Sequence, residues 1–276
     1  LKVQPGASSA GPSHGATMNL LVLFAPLASI VQAVLHGGRL TGRAPSARSE
    51  APLAAGSVEH LTLRDGSIEV RPRPFSYPDG GPEDEPEPTP RGQIPRVLHF
   101  TGKEASFKDV SGPIKKNVQR ELERNRALTV KFWGDSTCRG YLKRFYPRPL
   151  LDQFDDAARG EYAGAYRGDI CRAAVIYREG GFYMDMDLQL KEPLGSFLAN
   201  GTGATLMAIR NSNMLLAATP LHPILGATLE EIIPWYKRFD AGEDVGLMGP
   251  ATLRRGFERF CACGMQCEME RSTVAC

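Results

Sequence analysis

Neither sign of charge prevails in this chain of 276 residues: 33 Lys and Arg stand against 31 Asp and Glu. A chain given mainly to DNA or RNA carries a basic excess or a basic stripe, so nucleic acid is excluded as its principal partner. Cysteine is sparse, six in the whole length, too few for a fold held together by a disulfide framework. Long apolar runs are rarer still. Only Met18 to Leu35 is both uncharged and mostly apolar, which excludes a multi-span membrane protein. What remains is an ordinary globular composition, 42% hydrophobic and 23% charged, with enough apolar material for a sizeable core. An enzyme or binding domain is the surviving class.

Proline is placed unevenly. Twelve of the 21 prolines precede Ile94, and residues 78–90 alternate Pro with acid and Gly. Proline has no N–H to give to a ladder, and like charges repel, so this stretch reads as an extended linker. The Gly/Ser-rich opening reads as unstructured. The apolar run Met18–Leu35 is longer than a signal-peptide core of ~7–15 residues and marginal against the ~20 of a membrane span. A signal anchor, a cleaved signal starting at Met18, and an upstream segment that never folds are the three readings, and entry into the secretory pathway is the expectation. The division expected is therefore a signal or anchor segment and linker over 1–93, a domain over 94–260, and a Cys-containing tail over 261–276.

From Ile94 the pattern is α/β. Arg96–Phe100 and Leu128–Trp133 read as strands, the second rich in β-branched and aromatic residues. Ser111-Gly112-Pro113 looks like a helix start, leading into Ile114, Val118 and Leu122 at helical spacing. Further helical stretches follow around 139–145 and 150–157. Alternating strands and helices predict a largely parallel sheet covered on both faces.

Residues 166–190 are the most informative. Ile170, Ala173, Ala174 and Tyr177 fall on one helical face, while Asp169 and Arg172, three apart, share another and can point into one cleft. Gly180-Gly181 ends that helix. The period then switches: Phe182, Met184, Met186, Leu188 and Leu190 alternate with Tyr183, Asp185, Asp187 and Gln189. This predicts one strand with an apolar face and two carboxylates on the other. Carboxylates spaced i, i+2 can hold a hard divalent cation, which neutralises a diphosphate leaving group. The tripeptide alone fits equally a strand with a solvated acidic face.

The order of helix with Asp169 and Arg172, Gly180-Gly181, Tyr183, Asp185 and Asp187 resembles the DXD-motif glycosyltransferases. These include the initiating α-1,6-mannosyltransferases, the inositolphosphoceramide mannosyltransferases and, more distantly, the glucosylating toxins. Ile94–His99, Phe132-Trp133-Gly134-Asp135, Tyr146-Pro147, Asn213–Pro220 with His222-Pro223, and Met248-Gly249-Pro250 are similar to further pieces of the family in the family's order. The resemblance covers about 94–255. It implies a GT-A fold, a Rossmann-like sheet that binds a sugar nucleotide. It implies Mn²⁺ or Mg²⁺ on Asp185 and Asp187, and donor-substrate contacts from Asp169, Arg172 and Tyr183. A retaining transfer of hexose from a GDP- or UDP-sugar to a glycan or glycolipid acceptor follows, with the Golgi membrane as the compartment. Departures are Gly102, where the family usually has Trp to enclose the nucleotide, and the lack of a late His-Trp segment.

The alternatives are a catalytically degenerate sugar-nucleotide-binding protein and a haloacid-dehalogenase-like phosphatase, which also places Asp-x-Asp after an apolar strand. His99, on an apolar strand, reads as a core histidine. Trp235 and Tyr236 read as core. Cys261, Cys263, Cys267 and Cys276 lack the paired spacing of a structural zinc site and read as tail disulfides or an unstructured end.

Overall fold

The computed structural model describes residues 31–33, 57–75, 92–157, 162–197, 205–208, 212–262, 268–270 and 273–275. The strands are β1 (Val31–Ala33), β2 (Ser57–Arg64), β3 (Ser67–Pro74), β4 (Val97–Gly102), β5 (Thr129–Gly134), β6 (Gly181–Met184), β7 (Leu188–Leu190), β8 (Leu206–Ala208), β9 (Leu215–Ala218), β10 (Glu268–Glu270) and β11 (Thr273–Ala275). The helices are α1 (Gly112–Arg124), α2 (Asp135–Phe145), α3 (Arg148–Asp156), α4 (Ala163–Glu179), α5 (Pro223–Asp240) and α6 (Met248–Ala262). Seven strands form the main sheet in the order β3-β2-β5-β4-β6-β9-β8.

The α/β class expected from the sequence holds. The centre β5-β4-β6 is parallel, because each of these strands is reached through helices that cross the sheet. Antiparallel pairs close both sides, β2 on β5 and β9 on β6, so the sheet is mixed. The chain leaves β4 toward β5 on one side and returns to β6 on the other. That reversal makes a crevice at the carboxyl ends of β4 and β6, where open α/β sheets bind ligands.

The expected domain boundary at residue 94 is corrected. Residues 57–74 form a hairpin whose first strand pairs with β5, Glu59 opposite Phe132 and Leu61 opposite Val130. Asp65 and Gly66 both take positive φ, 48° and 72°, which makes the tight two-residue turn that suits the twist of the flanking strands. Val58, Leu61 and Phe75 are buried; Phe75 stacks on Trp133 at 5.8 Å. Both Glu59 oxygens accept hydrogen bonds at 2.7 Å, from Ser106 Oγ and the Phe107 amide. The hairpin thus belongs to the domain and anchors the loop that follows β4. Its prolines, Pro72 and Pro74, stand on the outermost strand, where a missing N–H is tolerated.

Of the apolar run 18–35 only Val31–Ala33 is described, pairing antiparallel with β7. The 78–90 linker lies outside the described residues, as do the side chains of the four late cysteines. The expected start of the tail also shifts, since α6 continues through Ala262. Among the described residues no helix is long and apolar enough to cross a membrane. Trp235, His99 and Tyr236 are buried, as the sequence predicts.

Candidate active site

The site is built where α4 turns into β6. Gly180 and Gly181 take φ of 65° and 93°, and a Cβ on Gly181 would lie 2.6 Å from the Val97 carbonyl oxygen. Only glycine lets β6 start so close to β4. His99 braces the same corner: its Nδ1 accepts from Trp133 Nε1 at 3.0 Å, so its Nε2 donates to the Gly180 carbonyl at 3.1 Å. Burial holds this imidazole well below its usual pKa, with Lys131 adding to the effect, and the ring is a neutral strut.

The single alternating strand expected over 182–190 is broken. β6 ends at Met184, Asp185–Asp187 form a turn, and β7 resumes at Leu188. The reason is coverage: β6 lies between β4 and β9 and all four of its residues are buried, so it has no solvated face to carry acids. The turn is tied down by backbone bonds from Asp185 N to Met214 O and from Leu188 N to Asp185 O. Asn117 of α1 donates to the Met186 carbonyl at 2.7 Å. The two carboxylates therefore project from a turn beyond the strand, Asp185 half-buried and Asp187 exposed.

Asp185 meets Arg172 and Tyr183. Arg172 Nη1 lies 3.1 Å from Asp185 Oδ1, and the Tyr183 hydroxyl donates to the same oxygen at 2.5 Å. The guanidinium stacks over the Tyr183 ring, 4.6 Å from its centroid, and donates to the carbonyls of Asn213 and Gly168 at 3.0 and 3.3 Å. Burial alone would discharge Arg172, but Tyr183, Asp169, Asp185 and Asp187 outweigh it and raise its pKa further. Burial raises Asp185 above an ordinary carboxylate, opposed by Arg172 and the Tyr183 hydroxyl. Burial likewise pushes Tyr183 up, so this phenol keeps its proton, donating it to Asp185 and accepting from Thr101 Oγ1 at 3.1 Å.

These groups border a cavity of about 140 Å³. Thr101, Gly102 and Lys103 reach it from the end of β4, Trp133 from β5, Asp135 from the start of α2, Gly164, Gly168 and Arg172 from α4, Tyr183 from β6 and Asp185 from the turn beyond it. Gly102 leaves no room for the family's Trp: a Cβ there would stand 2.9 Å from Phe132 Cε2 and from Glu104 Oε2. The indole at the cavity is Trp133 instead.

Of the residues expected in the site, Arg172, Tyr183 and Asp185 come together at the cavity. Asp169 is close behind, 3.4 Å from Arg172, but both its oxygens are engaged by protein. Asp187 is exposed and does not line the cavity. Sequence reasoning missed Asp135, paired with Arg167 at 2.8 Å and raised in pKa by burial against the pull of Arg167. It also missed the disulfide Cys138–Cys171, which joins α2 to α4 at the cavity wall. Asp135 carried a signal, since it closes the Trp-Gly-Asp piece; two cysteines 33 residues apart carry none.

Asp185 and Asp187 fit a hard divalent cation. Both contacts to Asp185 fall on Oδ1, leaving Oδ2 for a metal, and no side chain among the described residues claims Asp187. Oxygen ligands of this kind suit Mg²⁺ or Mn²⁺. Among the described residues no third His, Cys, Asp or Glu joins them, so remaining ligands would come from diphosphate and water.

Residues 115–207 match the family described as the glycosyltransferase sugar-binding region containing the DXD motif. Over that stretch, about a third of the chain, the sequence is similar to the sugar-binding region of the DXD-motif glycosyltransferases. It is similar to an uncharacterized glycosyltransferase of Acanthamoeba polyphaga mimivirus, 25% identical over 136 residues, 48% of this chain and 52% of that one. It is also similar to inositol phosphoceramide mannosyltransferase 1 of Schizosaccharomyces pombe, 23% identical over 161 residues, 57% of this chain and 48% of that one. The chain thus spans about half the length of the curated relatives it matches. A solved PaToxG glycosyltransferase aligns over 61% of this chain and 70% of its own, with 18% identity and a TM-score of 0.44.

Proposed function

We propose that this protein transfers a hexose from a GDP- or UDP-sugar to a glycan or glycolipid acceptor, with retention of anomeric configuration and with Mn²⁺ or Mg²⁺ held by Asp185 and Asp187. The observation that carries the reading is the convergence of Arg172 and Tyr183 on one oxygen of Asp185, beside a cavity at the reversal point of the sheet. A bound cation would offset the charge that grows on the leaving diphosphate. Arg172 supplies a fixed planar fork that can bridge sugar hydroxyl and phosphate oxygens. Tyr183 acts through Asp185, holding its carboxylate toward the cavity. The cavity's carboxylates, Asp135 and Asp185, are each held by an arginine. Neither stands free as a nucleophile, which supports a front-side substitution with a leaving phosphate oxygen as base.

The Cys138–Cys171 cross-link supports passage through an oxidising compartment, in keeping with the secretory pathway and the Golgi membrane. The test is a panel of GDP- and UDP-sugars incubated with Mn²⁺, followed by release of the free sugar or its transfer to added glycans. Hydrolysis of simple phosphate esters alone would favour the phosphatase. Binding of sugar nucleotide without turnover would favour a degenerate transferase.

A further inference from the structure

Three distant parts of the chain meet behind Arg172. Asn213, in the segment before β9, donates through Nδ2 to Asp169 Oδ1 at 2.7 Å, and its main-chain carbonyl accepts from Arg172 Nη1 at 3.0 Å. Gly249, in the first turn of α6, donates its amide to Asp169 Oδ2 at 3.1 Å. First-turn amides have no partner within their own helix, and a carboxylate there satisfies one of them and opposes the helix dipole. The approach is possible only for glycine. A Cβ on Gly249 would overlap the Asn213 amide and stand 2.5 Å from Asp169 Cγ. Asp169, Asn213 and the neighbouring Met248 are all buried.

We propose that Asn213 and Gly249 are positioning residues for the donor sugar. Together they fix the Asp169 carboxylate, and through Asp169 and the Asn213 carbonyl they fix the guanidinium that faces the cavity. Asn213 is central because it holds the acid and the base of the pair at once, by side chain and by main chain. A guanidinium held from behind in this way keeps its free edge in one orientation, which matters for a sugar with directional hydroxyls and little for a nucleoside diphosphate bound through the cation. This role rests on the function proposed above.

The experiment compares Asn213→Ala and Gly249→Ala with wild type by calorimetry in Mn²⁺, using UDP, GDP, UDP-glucose and GDP-mannose as probes. For whichever pair the wild type binds, the expected result is a loss of about tenfold or more for the sugar nucleotide and within about threefold for the matching diphosphate. Equal losses for both, or no loss for either, overturn the positioning role. Because the Cβ of Gly249→Ala is forced against Asn213 and Asp169, amide exchange in the unaltered protein gives a second test. The Gly249 amide is expected to exchange slowly, and to lose that protection in Asp169→Ala. Fast exchange in wild type would show that the contact does not persist, and the inference falls even if sugar nucleotides bind. A wild type that binds none of the four probes brings down the functional reading and this role with it, whereas selective loss in the variants supports both.

Discussion

Arg172 is the counter-ion of Asp185, its Nη1 3.1 Å from the carboxylate Oδ1. The guanidinium touches the other acid of its own helix, Asp169, at 3.4 Å. A lysine at this position would keep the charge but lose the bonds to the carbonyls of Gly168 and Asn213 and the flat stack on Tyr183. Arg172→Lys is expected to lower transfer by about a hundredfold while reducing stability by only about 1–2 kcal/mol. Thermal unfolding beside a steady-state assay checks both, and unimpaired transfer would remove Arg172 from the donor site.

The two aspartates of the turn should behave differently from one another. Asp185 is partnered by Arg172 and Tyr183, so Asp185→Ala takes from a buried guanidinium one of its two carboxylate partners and from Tyr183 its acceptor, at an expected cost of roughly 2–4 kcal/mol even without metal. Asp187 is exposed, and Asp187→Ala should leave metal-free stability within about 0.5 kcal/mol. The proposed function requires Mn²⁺ with nucleoside diphosphate to raise the melting temperature of the wild type, and both variants should lose that rise. Scanning fluorimetry with EDTA and with Mn²⁺ separates the two costs.

His222 caps α5, its Nδ1 accepting from the Ile224 amide at 3.3 Å while Nε2 faces Thr205 Oγ1 at 3.3 Å. Burial pushes its pKa down to about 4. The unfolded chain, with an ordinary histidine, binds the proton first, so this stability is full above pH 6.5 and is lost as pH falls toward 4. The loss attributable to His222 is expected to reach about 3 kcal/mol. His222→Asn keeps a capping acceptor but cannot titrate, so its melting temperature should fall less between pH 7 and pH 5 than that of wild type. Parallel curves for the two proteins would refute the assignment.

Shortening the chain to residues 93–276 removes the hairpin with Val58, Leu61 and Phe75, side chains whose burial is worth roughly 1.5–3 kcal/mol each. It also bares the edge of β5, and a bare hydrophobic edge invites pairing between chains. The piece 93–276 is expected to aggregate or to melt well below 57–276. Size-exclusion chromatography and thermal unfolding of both pieces decide it, and equal midpoints would show the hairpin to be dispensable.

The helix with Asp169 and Arg172, the Gly-Gly corner and the acidic pair could be read in the sequence because each rests on local periodicity. Even there the period misled: Phe182 to Leu190 alternate throughout, yet the strand stops at Met184 because both of its faces are covered. The hairpin carried its own signal, Asp65-Gly66 between two alternating runs, and was hidden by the prolines around it. Those prolines are harmless on an outermost strand. Asn213, Gly249 and the Cys138–Cys171 pair had no local signature, since each acts across 33 to 80 residues of chain.

That disulfide joins the wall of the cavity to the helix that carries Asp169 and Arg172, with Cys171 the residue immediately before the arginine. The redox history of a preparation consequently becomes a variable of its function. Protein made where thiols stay reduced would hold the same side chains on a helix with one fewer anchor, and two batches identical in mass spectrum but for two hydrogens could differ in how firmly the cavity wall is held.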